Sequence, residues 1–101
     1  MAKIIFECSG GILDRDADLT LNLNTLPSNE AQNLLQLIRD SNFFNLPANL
    51  IKQPEPEKIQ YAITVDVGIV YHTVRATENT TPPSLKPLLT ELSTRLDTRP
   101  V

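Results

Sequence analysis

Ile59-Gln60-Tyr61-Ala62-Ile63-Thr64-Val65-Asp66-Val67-Gly68-Ile69-Val70-Tyr71-His72-Thr73-Val74-Arg75-Ala76 is the stretch that decides the fold. Ile59, Tyr61, Ile63, Val65 and Val67 alternate with Gln60, Ala62, Thr64 and Asp66. A period of two marks a strand with one face toward a core. Beyond Gly68 the pattern resumes, with Val70, His72, Val74 and Ala76 alternating with Ile69, Tyr71, Thr73 and Arg75. Two β-rich runs about one glycine predict an antiparallel hairpin.

The N-terminal segment carries a second, weaker pair of strands. Ile4, Phe6 and Cys8 alternate with Lys3, Ile5 and Glu7, and Gly10-Gly11 is expected to end this strand by tolerating positive φ. After a polar turn through Asp14 to Asp18, Leu19, Leu21 and Leu23 face one way and Thr20, Asn22 and Asn24 the other. A hairpin between these two strands is the most economical pairing. Leu26-Pro27-Ser28 then opens a helix, with Ser28 as the expected N-cap and the stripe Ala31, Leu34, Leu35 and Ile38 as its buried face. Ser41-Asn42 reads as the stop, and Phe43-Phe44-Asn45-Leu46-Pro47 as a short run sealing one end of the core. Residues 47–58, with three prolines, are expected to be a surface loop.

Past the hairpin, Glu78 to Pro83 is a polar connection, and Leu85, Leu88, Leu89, Leu92 and Leu96 form a second helical stripe. Pro87 fits a first helical turn, which points to Ser84 as N-cap. Arg95 and the residues from Asp97 are expected to taper into a tail. The predicted order is β-β-α-β-β-α: a two-layer α+β domain with a four-stranded antiparallel sheet and two helices. One domain over residues 1–97, with a frayed tail over 98–101, suits a chain of 101 residues.

Composition narrows the function classes. The chain is 41% hydrophobic and 21% charged, which is ordinary for a globular protein. Its net charge of −3 and isolated Lys and Arg residues disfavour nucleic acid as a partner. The apolar run Ile4-Ile5-Phe6 is too short for a signal peptide, and no window approaches a membrane span. Cys8 is the one cysteine, so no internal disulfide is possible and a cytoplasmic location is expected.

No catalytic or metal-binding set assembles from the residues. Asp14, Asp16 and Asp18 have the spacing of a calcium loop's start, but Leu19 and Thr25 stand where glycine and a bidentate glutamate are needed. His72 is the single histidine, and its neighbours Val70 and Val74 make a half-buried structural role its default. A nucleophile at Cys8 requires His72 beside it and an orienting group. Gly10-Gly11 lacks the further glycines or lysine of a phosphate loop. The residues therefore read as non-enzymatic, with no cofactor and no metal.

Several segments belong together: Ile5-Phe6-Glu7 running into Ser9-Gly10-Gly11, the Leu26-Pro27 helix entrance, and Leu34, Leu35 and Ile38 followed by Phe43-Phe44-Asn45-Leu46-Pro47. Tyr61-Ala62-Ile63-Thr64-Val65, His72-Thr73-Val74-Arg75 and the helix from Pro83 to Leu92 complete the set. With these segments the chain resembles the emfourin family of small bacterial inhibitors of thermolysin-like (M4) metallopeptidases. Family members often continue Ser-Gly-Gly with an aromatic residue and another glycine, whereas this chain has Ile12-Leu13-Asp14. The resemblance implies a folded domain, monomeric when free, that reversibly occludes the cleft of an M4-type metallopeptidase. It marks Ser9, Gly10, Gly11, Ile12, Leu13 and Leu26 as protease-contact candidates, since such enzymes favour bulky apolar groups beside the scissile bond. A non-enzymatic interaction module, binding through a sheet edge or the Pro47 to Lys58 loop, is the alternative.

Overall fold

Alternating apolar residues become strands in four places, and the two leucine-rich stripes become helices. A computed structural model describes residues 2–10, 17–51 and 58–97. In chain order the elements are β1 (Lys3–Gly10), β2 (Ala17–Asn22), α1 (Ser28–Asp40), β3 (Ile59–Asp66), β4 (Tyr71–Thr77) and α2 (Lys86–Asp97). This is the expected β-β-α-β-β-α order. Two 3-10 turns join the helices to their neighbours, Phe43–Asn45 after α1 and Glu78–Thr80 after β4. The strands form one antiparallel sheet in the order β2-β1-β3-β4.

Register explains which side chains share a face. Ile4 lies between Leu21 and Val65, and Phe6 between Leu19 and Ile63. Val65 pairs with His72 and Ile63 with Val74, so the same face continues across the sheet. Leu34 and Ile38 of α1, and Leu88 and Leu92 of α2, close over this face. Each such buried aliphatic side chain contributes roughly 1.5–3 kcal/mol relative to exposure, so this layer dominates stability. Phe6 also stacks on Tyr61, with ring centroids 5.9 Å apart. Among the described residues no helix covers the opposite face, which carries Ile5, Thr20, Thr64 and Thr73 in one row, the last two joined by a 2.8 Å hydroxyl contact.

The structure departs from the sequence expectations at element ends. β1 takes in Ser9 beyond the alternating run before ending at Gly10, the expected strand end; Ser9 and Gly10 pair with Gln60 and Ile59 because β3 supplies a partner that far. Ser28 is not the N-cap: Pro27 is, in an extended conformation, and its carbonyl accepts the N–H groups of Glu30 and Ala31. Ser84 does not cap α2 either; its hydroxyl donates to the Ser41 carbonyl and ties the two helices' ends together. The first turn into α2 instead forms on the Pro82 carbonyl, which accepts from Leu85 and Lys86, and Pro87 falls in the first turn of α2 as expected. Arg95 belongs to α2 and not to a tail. Its guanidinium donates to Glu91 at 2.7 Å and to Glu30 of α1 at 3.0 Å.

The expected stop of α1 holds. Asn42 has φ 54°, and the buried Ser41 hydroxyl donates to the Ile38 carbonyl at 2.7 Å. Phe43 then enters the core while Phe44 stays on the surface, so only half of that aromatic pair seals it. Phe43 and Phe44 flank His72, whose Nε2 lies 2.7 Å from the Leu46 carbonyl. The start of the expected surface loop is strand-like instead. Ala48 accepts the Arg75 N–H and Leu50 donates to the Arg75 carbonyl, laying this segment along the free edge of β4.

Candidate functional site

The sheet has two ends, and the candidate residues divide between them. At one end lie Ser9 and Gly10, the last residues of β1, beside Ile59 and Gln60 of β3. Ser9 is exposed, and Gly10 has φ 85°, a conformation that glycine alone adopts without steric cost. Gly11, Ile12 and Leu13 follow directly and lie outside the described residues. Leu26 is at the opposite end. β2 runs from Ala17 beside Cys8 to Asn22 beside Lys3, and the chain reaches Leu26 only after leaving that far end. There Leu26 is half-buried and packs on the core. The structure therefore does not bring Leu26 together with Ser9 and Gly10.

Next to Ser9, the open face of the sheet forms a shallow depression of about 340 Å³. Glu7, Ser9, Asp18, Gln60 and Arg75 supply its polar lining, and Ile51 also lines it. Its floor is Ala62, whose small side chain sits in register between Glu7 and Arg75. The lining carries both signs of charge and little apolar surface.

The opposite end is formed by the β3–β4 turn. Val67 N–H donates to the Val70 carbonyl at 2.9 Å, Gly68 has φ 96°, and Asp66 Oδ1 accepts the Gly68 N–H at 2.8 Å. Glycine with positive φ at the first central position suits the twist of a tight hairpin. This turn presents Ile69, Val70 and Tyr71 to solvent, at 95%, 50% and 73% exposure. Reading the sequence marked none of these three as a contact candidate. The signal was present, because Ile69 stands at a central turn position where hairpins ordinarily carry a polar residue, followed directly by Val70 and Tyr71.

Cys8 and His72, the pair that a thiol nucleophile would need together, lie apart in the sheet. Cys8 pairs with Tyr61, whereas His72 pairs with Val65, two strands away and four residues along the sheet. At ordinary strand spacings that separates them by roughly 15 Å. Among the described residues no group of three or more His, Cys, Asp or Glu side chains could hold a metal ion. Asp14 and Asp16 lie outside the described residues, and Asp18 is in β2, facing the open side. No described helix is long and apolar enough to cross a membrane.

Comparison with known families supplies what the geometry alone does not. The family model Emfourin matches residues 6–93, from Phe6 in β1 to the last turns of α2, and the chain belongs to the emfourin family. Membership implies a protease-inhibitor role in general, in a family that is not itself catalytic. No curated protein and no solved structure matches the chain.

Proposed function

We propose that this protein inhibits a thermolysin-like (M4) metallopeptidase by reversible occlusion of the protease cleft, acting as a folded cytoplasmic monomer. The observation that carries the reading is the family match over residues 6–93. Family membership supports a protease partner, and the M4 class follows from the resemblance of Ser9-Gly10-Gly11 and its surrounding segments.

The geometry is compatible with a folded inhibitor that is not consumed. Ser9 and Gly10 are held in the sheet by β3, so these two residues lose little conformational freedom on docking. Ser9 and Gly10 are the contact candidates described at that end, Gly11, Ile12 and Leu13 are those that follow them in sequence, and Leu26 is at the other end. A standard interface covers roughly 800 Å² on each partner, so one loop is not sufficient and the polar lining beside Ser9 contributes a rim.

Peptide hydrolysis by a purified thermolysin-like protease, titrated with this protein, tests the reading. Inhibition that saturates near equimolar ratio and reverses on dilution is the expected result. Undiminished hydrolysis at large molar excess, across several M4 enzymes, rejects the target class.

A further inference from the structure

We infer that the tip of the β3–β4 hairpin, Ile69-Val70-Tyr71, is an apolar wedge by which this inhibitor docks on its protease. The inference rests on the inhibitor reading and adds to it a contact surface outside Ser9 to Leu13 and Leu26.

Three features of the tip point this way. The first is its chemistry: Ile69 is 95% exposed and Tyr71 73% exposed, while fifteen of the described hydrophobic residues are buried. A contiguous run of exposed apolar residues is the kind of patch that marks a contact surface. The second is rigidity. The Asp66 carboxylate holds Gly68 N–H, Val67 N–H reaches the Val70 carbonyl, and the Thr64 and Thr73 hydroxyls meet lower in the hairpin. A turn fixed in this way loses little freedom on binding.

The third feature is shape and area, which select the occupant. The tip exposes on the order of 400 Å² of largely apolar surface, about half of one partner's share of a standard interface. Two such tips packed together would bury at most about 800 Å² in total, short of the roughly 1,200–2,000 Å² of a stable interface, so the tip by itself does not support a dimer of this chain. A concave, apolar-lined cleft surrounds a protruding hairpin on several sides, and a protease substrate cleft has that form. No Lys, Arg, Asp or Glu lies between Val67 and Tyr71, so the apex at Ile69 brings no charge of its own into such a cleft. The nearest charges, Lys3 and Asp66, share a register row with Tyr71 and fall at the rim.

The test titrates wild type, Ile69→Asp, Ile69→Ser and Tyr71→Ala against one protease of each catalytic class, including a thermolysin-like metallopeptidase. Peptide hydrolysis gives potency, and thermal unfolding checks each variant's fold. Ile69→Asp should lose about 100-fold in potency and Ile69→Ser about tenfold, as for centrally placed apolar anchors, with unfolding temperatures unchanged. Wild-type potency in every folded variant overturns the wedge and leaves the inhibitor reading standing. Inhibition confined to a protease of another class, weakened by the same variants, supports the wedge and rejects the M4 target. Inhibition of none of the proteases overturns both.

Discussion

Ile63 and Ile69 are the same residue type in one hairpin, yet Ile63 is 2% exposed and Ile69 is 95% exposed. At the base of the hairpin, Ile63 pairs with Phe6 on one side and Val74 on the other, beneath two helices. At the tip, Ile69 extends past the last paired row, where no described element covers it. Apolarity is thus used twice in one hairpin, once to hold the fold and once at a surface suited to binding. The difference lies in what packs above each residue, and it separates the parts of the molecule that should govern stability from those that should govern recognition.

Substitutions can break this comparison or sharpen it. Ile63→Ala at the base should cost about 2–5 kcal/mol in denaturant unfolding, because it removes transfer energy and leaves a cavity beneath the helices. A loss under about 1 kcal/mol would mean that the base is not tightly packed. Gly68→Ala should cost about 1–2 kcal/mol, since a Cβ is poorly tolerated at φ 96°. It should also weaken inhibition by misdirecting Ile69; a stable variant with full potency would detach the turn geometry from recognition.

Asn42→Ala should cost about 1 kcal/mol, because Ala adopts the left-handed conformation less readily and forfeits the bond from Asn45 Nδ2. Asn42→Gly should be close to neutral by the same measurement, and a large loss there would move the cause to the side chain. Glu30→Gln should cost less, at most about 1 kcal/mol and mainly at low salt, because the Glu30–Arg95 pair is partly solvated. Ile69→Ala should change stability by no more than about 0.5 kcal/mol while reducing inhibitor potency. That pairing of small and large effects is the sharpest statement of the difference between tip and base.

Much of the fold was legible because local patterns carried it. The alternation through Ile59 to Val67 placed β3, and Leu34, Ile38, Leu88 and Leu92 marked the faces that α1 and α2 bury. Capping was less legible. Ser28 and Ser84 are good N-cap residues by type, but Pro27 and Pro82 carbonyls accept the first helical bonds and Ser84 is drawn to Ser41. The candidate site was legible only in part. Ser9-Gly10 stood out as an unusual strand end, whereas Ile69, Val70 and Tyr71 merged into the alternation and looked like more buried strand. The pairing of Ala48 to Leu50 with Arg75 had no local signal, because a short parallel bridge leaves no period in the sequence.

By itself the sequence determined the element order, the inward faces of strands and helices, and the family to which the chain belongs. Those properties follow from periodicities of two and 3.6 residues and from short motifs, all of which are local. Only the tertiary structure decided that β1 sits between β2 and β3, that Leu26 and Ser9-Gly10 occupy opposite ends, and that Ile69 is left in water. The physical reason is the same in each case. A strand's period states which side chains share a face, but its neighbours and the extent of the covering helices depend on contacts between residues far apart in the chain.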